Sequence, residues 1–237
     1  MLDDYVFSGF PPDSLKFFRA LASHNDRDWF AAHKADHEAH VLVPARAFVV
    51  EMGARLRRLS PELRVDPRTN GSGSIFRIHC DVRFSKDKRP YKTHLGLFFW
   101  EGERQSGPGY YFHLEPPRLQ LYVGKYVFDK PQLAAWRASV DDPRQGRQLA
   151  TLLAKAGRAG CEAGEESYKR VPAGYPADHP RADLLRHGSI WLRADAPVPP
   201  ELHTRGLLDW CFARWRAMHP LQVWLRGMME RVEAAKG

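Results

Sequence analysis

The sequence predicts one α+β domain, residues 1–237, with a mainly antiparallel central sheet over about residues 75–127 and helices before and after it. Three observations predict this. Apolar residues recur at helical spacing in the first third and the last quarter of the chain, and at strict alternation in the middle. The links between the alternating runs are too short for crossover helices, so neighbouring strands must run antiparallel. No repeat and no convincing linker divides the 237 residues.

The elements follow in order. Ser14 is placed to cap a helix with Leu15, Phe18 and Leu21 on one face, ending near His24-Asn25. Asp26 opens a second helix through Trp29, Phe30 and His37. Pro44 suits the first turn of a third, which carries Phe48, Met52 and Leu56 and stops at Ser60-Pro61. Residues 69–73 (Thr-Asn-Gly-Ser-Gly) read as a loop. Strands are expected at 75–84, 92–100, 109–115 and 119–127, with turns at Gly107-Pro108-Gly109 and Pro116-Pro117. Helix returns over 130–157, anchored by Trp136, Leu149, Leu152 and Leu153, and a loop follows at 156–166. Ile190–Arg193 reads as a further strand. Pro220 is expected to separate two last helices, Leu207–Met218 and Leu221–Ala235.

Composition excludes several classes. The beginning, Met-Leu-Asp-Asp-Tyr, lacks a basic stretch followed by an apolar one, and no run reaches the roughly 18 apolar residues of a membrane span, so neither secretion nor a membrane is expected. Cys80, Cys161 and Cys211 are odd in number and far apart, which argues against a disulfide framework or a CxxC metal site and fits the cytoplasm. There is no Walker loop, no G-x-G-x-x-G and no G-x-S-x-G.

The chemistry concentrates between Ile75 and His94. Phe76, Ile78, Cys80, Val82 and Phe84 are expected on one strand face, and Arg77, His79, Asp81 and Arg83 on the other. An ordinary solvent face carries Thr, Ser and Lys. This one carries groups that bind anions or move protons. Lys86, Lys88, Arg89, Lys92 and His94 follow around a turn at Asp87–Pro90. From Arg68 to His94, seven Lys/Arg stand against Asp81 and Asp87, a net of +5 within a chain of net charge +8. Such a field attracts phosphates or nucleic acid; the plainer reading is a generally Arg-rich chain.

Strand parity adds Tyr111, His113 and Glu115 to one face of 109–115, opposite Tyr110, Phe112 and Leu114. The candidate catalytic residues are therefore Asp81, His94, His113 and Glu115. The candidate anion-binding residues are Arg77, Arg83, Lys86 and Lys92, with Lys169, Arg170, Tyr175 and His179 from a proline-stiffened later segment. No cofactor is identified. A divalent metal on Asp81, His94, His113 and Glu115 is one reading of these donors, without a compact motif to favour it. His33 and His37, one helical turn apart, lack the Glu of a zinc-protease motif and read as a solvated face.

Four stretches together resemble a known family, the uncharacterised bacterial and fungal family called domain of unknown function 2461. They are Asn25–Phe30, Phe76–Lys92 with Arg-x-x-x-Asp-x-Arg-Phe-Ser-x-Asp-Lys-x-Pro-Tyr-Lys, Tyr110–Pro116, and Lys169–Leu185 with Lys-Arg-x-Pro-x-Gly-Tyr-x-x-Asp-His-Pro. Members often carry Arg where this chain has Cys80, and a glycine-rich stretch where it has Pro117–Val123. The resemblance implies a single domain with a site and is silent on chemistry. Three functions remain open on these residues: a hydrolase or nuclease acting on phosphoesters, a nucleotide- or nucleic-acid-binding module, and a scaffold whose sheet face is salt-bridged. The partner is an anionic small molecule or nucleic acid, and the oligomeric state is not legible.

Overall fold

A computed structural model describes residues 5–83, 85–104 and 106–234, the Glu233 side chain excepted. Phe84 and Ala235, predicted to end a strand and a helix, lie outside the described residues. The elements are α1 (Pro12–Ser23), α2 (Arg27–Ala32), a short α3 (Lys34–Asp36), a π-helical turn (His37–Leu42), α4 (Val43–Leu56), β1 (Leu95–Trp100), β2 (Gly109–Glu115), β3 (Arg118–Lys125), α5 (Lys130–Asp141), α6 (Pro143–Arg158), β4 (Glu162–Ala163), α7 (Ala182–Leu185), β5 (Ile190–Pro197), a 3₁₀ turn (Pro200–His203) and α8 (Leu207–Ala234). Among the described residues the strands form one open antiparallel sheet in the order β1-β2-β3-β5-β4. No described helix is long and apolar enough to cross a membrane.

The chain groups into two compact units. The first comprises 5–99, 111–121 and 195–213, and the second 100–110, 122–194 and 214–234. In the first unit, α4 turns Phe48, Met52 and Leu56 to one side at fourfold spacing, all three fully buried. Phe48 meets Phe7 and Phe112 at 5.1 and 5.2 Å between ring centroids, and Phe10 at 6.0 Å. Glu51, on the same helix, accepts from the Phe7 backbone N–H at 2.6 Å and from both terminal nitrogens of Arg205. One carboxylate thus ties the chain start and the 195–213 segment to α4.

In the second unit Trp136 of α5 is fully buried, 5.5 Å from Trp224 and 5.4 Å from Phe128 between ring centroids. Its Nε1–H donates to the Leu184 carbonyl at 2.9 Å, which satisfies the one polar atom of the ring. Asp129 and Gln132 cap α5 reciprocally, the pattern that fixes a helix start. Gly124 has a φ of +146°, and a Cβ there would lie 2.3 Å from the Ile190 carbonyl, so β3 and β5 meet only because the position is bare.

Four local expectations are corrected. α1 begins at Pro12, and Ser14 caps nothing: it is fully buried and donates to the His40 carbonyl at 2.5 Å. The preset φ of Pro12 starts the helix instead. The predicted second helix breaks after Ala32 and passes through a π turn, where His37 becomes buried against Phe17 and Phe30. α8 runs through Pro220 without interruption. An interior proline costs about 3 kcal/mol, and the buried Trp215, Met218, Leu221, Trp224, Leu225 and Met228 on that stretch outweigh it.

The fourth correction matters most for function. Residues 75–83 form no continuous strand, only the bridges Ile75 to Leu97 and His79 to Tyr91. Phe76 is exposed, and Ile78, Cys80 and Val82 are only half-buried. Alternation survives as exposure, with Arg77, His79, Asp81 and Arg83 all outward. The reason is a slip in register. On one side of Ile78 the backbone pairs Phe76 with Gly96 and Ser74 with Phe98; on the other, Ile78 pairs with Lys92 and Cys80 with Pro90. Two extra residues on the 92–96 side are pushed out of the ladder. Sheet pairing resumes only at Leu95, so Thr93 and His94 sit on a bulge.

Candidate functional site

The bulge aims side chains that a continuous strand would have aimed elsewhere. Thr93 Oγ1 donates to Glu115 Oε1 at 2.6 Å, and the His94 ring lies 4.2 Å from that of His113. β2 keeps the predicted parity: Tyr110, Phe112 and Leu114 are buried, while Tyr111, His113 and Glu115 stand on the more open face. Ligating atoms of His94, His113 and Glu115 all lie within 4.8 Å of one another. His113 Nε2 is 3.4 Å from Glu115 Oε2, and its Nδ1 is 3.3 Å from the Tyr111 hydroxyl. Because a carboxylate only accepts, Nε2 carries the proton here and Tyr111 donates to Nδ1. Gly96 makes room for that hydroxyl; a Cβ at 96 would sit 2.6 Å from it.

The electrostatics follow from partial burial. Desolvation, assisted by the neighbouring His113, pushes the His94 pKa down to about 4. Desolvation also lowers His113, against the opposing pull of Glu115. Burial pushes Glu115 up, but hydrogen bonds from Thr93 and His113 outweigh it and the carboxyl ends below its ordinary range. At neutral pH the group is two neutral imidazoles beside one carboxylate. Arg89, held mainly by Asp87, also feels the charge of Glu115, and His94 feels that of Lys92, so the basic segment borders the triad.

A comparison with protein families decides the relationship of the chain. The model of the conserved hypothetical protein family, domain of unknown function 2461, matches residues 13–224. The chain belongs to that family. Searches of curated proteins and of solved structures each found no match. The family match spans both units and includes Thr93, His94, Tyr111, His113 and Glu115.

Asp81, expected with the triad, stands apart. It is exposed, and its carboxylate is taken by Arg83 Nε and a terminal nitrogen at 2.9 and 2.7 Å, which holds its pKa down to about 2. Arg89 is likewise bound by Asp87, two residues before it. Both pairs are open to water and contribute little to stability. The expected result for Asp81→Asn is an unchanged thermal melt; a clear drop would show that the carboxylate supports more than its neighbour.

Lys92 spends two of its three donors on the carbonyls of Arg77 and His79, at 2.6 and 2.9 Å. It clamps the irregular segment and keeps one donor. Arg77, Lys86 and Lys88 have no carboxylate partner among the described residues, and all three are exposed. Lys169, Arg170, Tyr175 and His179 belong to the second unit. There His179 uses both ring nitrogens, accepting from the Arg181 N–H at 3.0 Å and facing Asp141 Oδ1 at 3.3 Å.

Two positions escaped the sequence reading. Thr93 gave no signal, since its role depends on the bulge. Asn25 lay in plain view at the head of the Asn25–Phe30 stretch. Its amide donates to the Tyr91 carbonyl at 2.8 Å and accepts from the Tyr91 N–H at 3.0 Å, as a neighbouring strand would. Phe30 stacks on the Tyr91 ring at 4.2 Å. The α1–α2 corner therefore holds the segment that carries the cations.

Proposed function

We propose that this protein binds a phosphate- or carboxylate-bearing ligand in the first unit, between the cationic 77–92 segment and the His94–His113–Glu115 group. The observation that carries the reading is the pairing pattern. Arg83 and Arg89 are neutralised locally, while Arg77, Lys86 and Lys88 are exposed without a carboxylate partner among the described residues. Cations left over beside neutral imidazoles suit an anion that receives charge from one side and proton transfer from the other. The reaction class this supports is phosphoester hydrolysis, with His94 taking a proton from the attacking water. The cytoplasm is the compartment in which the free thiols Cys80, Cys161 and Cys211 fit best.

A nucleic-acid-binding surface is the second reading, favoured by the outward side chains of Arg77, Lys86 and Lys88 on an irregular segment. Salt separates the two. Binding of a labelled single-stranded oligonucleotide through several phosphates weakens steeply between 50 and 200 mM salt, with a logarithmic slope of about −0.7 per contact. Binding of one phosphomonoester in a local site depends on salt far less. The double substitution Arg77→Ala/Lys86→Ala is expected to weaken phosphomonoester binding about tenfold, read by calorimetry. Unchanged affinity in that variant removes the anion site; strong, steeply salt-dependent oligonucleotide binding that persists moves the reading to a nucleic-acid surface.

A further inference from the structure

The triad is built for more than proton transfer. We propose that His94, His113 and Glu115 form a binding site for a divalent first-row transition-metal ion, Zn²⁺ foremost, with Tyr111 orienting the His113 ligand from behind. This deepens the reading of the same site but rests on the triad geometry, independently of any bound anion.

Four observations support it. The donor set is two imidazole nitrogens and one carboxylate oxygen, a set that suits Zn²⁺, Fe²⁺ or Ni²⁺, whereas Mg²⁺ and Ca²⁺ take oxygen. The donors come from two adjacent pieces of backbone, β2 and the bulge before β1, and all lie within 4.8 Å of one another. An ion bonded at about 2.1 Å needs donors roughly 3.3 Å apart, so rotation of the partly exposed Glu115 and a small turn of the rings closes the site. Both imidazoles are half-buried, which limits the access of water to the ligating nitrogens.

The fourth observation concerns what lies behind the ligands. Metal-binding histidines anchor the ring nitrogen that faces away from the ion, and that anchor fixes the tautomer. The Tyr111 hydroxyl is already 3.3 Å from His113 Nδ1. An ion on Nε2 puts the ring proton on Nδ1, which then donates to the same hydroxyl. Thr93 does the equivalent for the carboxylate, donating to Glu115 Oε1 and leaving Oε2 toward His113. Three protein ligands leave a fourth position open.

The full chain, treated with chelator and exchanged into buffer without phosphate, is titrated with Zn²⁺ by calorimetry and with Co²⁺ by visible absorption. One equivalent of each is expected to bind, the Co²⁺ spectrum is expected to be that of a low-coordinate nitrogen–oxygen site, and excess Mg²⁺ is expected not to compete. His94→Ala/His113→Ala is expected to lose at least a hundredfold in affinity, and Tyr111→Phe about tenfold. The double variant His24→Ala/His33→Ala, which removes histidines stacked on Trp29, is expected to bind normally and controls for adventitious surface binding. If His94→Ala/His113→Ala misfolds by circular dichroism, Glu115→Gln takes its place, with a loss of at least tenfold expected. Absence of one-equivalent binding in the wild type, or binding that the ligand variants leave intact, overturns the metal site. Phosphomonoester binding measured in chelator reports on the anion reading separately, so either result can fail without the other.

Discussion

Phe48→Ala is expected to lower the free energy of unfolding by roughly 3–5 kcal/mol, the range for emptying a large aromatic from a closed core. Phe48 is fully buried and meets four other phenylalanines, Phe7, Phe10, Phe99 and Phe112, at 5.1 to 6.5 Å between ring centroids. The four come from the chain start, β1 and β2, and Phe48 itself from α4, so no single element can relax to fill the void. A domain stable by 5–15 kcal/mol loses a large share of that margin. Denaturant unfolding measures the loss, and Phe48→Leu, which keeps most of the volume, should recover more than half of it. A loss under about 1.5 kcal/mol for Phe48→Ala would mean that the core of the first unit does not run through this ring.

Acid is expected to act through His37. Desolvation, reinforced by His79 and Arg46 and opposed by Glu38, pushes its pKa from the ordinary 6.5 down to about 4. The folded chain therefore binds this proton less readily than the unfolded chain. Above pH 6.5 both states hold a neutral ring and nothing is lost. As the pH falls from 6.5 towards 4 the unfolded state takes up the proton alone, and stability drops, by on the order of 3 kcal/mol at the lower end. The clean measurement is the difference between wild type and His37→Leu across pH 7 to 4. Lost packing against Phe17 and Phe30 shifts the whole variant curve, but only the wild type carries the His37 slope. Parallel curves would remove His37 as the source of acid sensitivity.

The two variants probe different consequences of one architecture. Phe48 was legible as core because Phe48, Met52 and Leu56 repeat at helical spacing. His37 read as part of a charged helical face, since Lys34, Asp36, Glu38 and His40 surround it. The π turn, which packs against α1, rotates it inward. Spacing alone cannot report a local change in helical pitch.

The candidate site divides in the same way. Parity on β2 placed Tyr111, His113 and Glu115 together, since a strand's side chains alternate whatever it pairs with. Parity misled at 75–83 and 92–94. There the residues were right in kind, and their pairing was not a property of either segment alone.

By itself the sequence determined the α+β class, the helical face of α4, the two faces of β2, the charge of the 77–92 segment and the family. Each of these is set by local spacing, by composition or by a linear pattern. Tertiary structure decided that Asp81 pairs with Arg83 rather than joining the histidines, and that α8 continues through Pro220. It also decided the two-residue slip that brings Thr93 and His94 to Glu115 and His113. Register is a relation between two strands, fixed by which pairing buries Ile75, Tyr91 and Leu97 together, and that energy exists only when the strands meet.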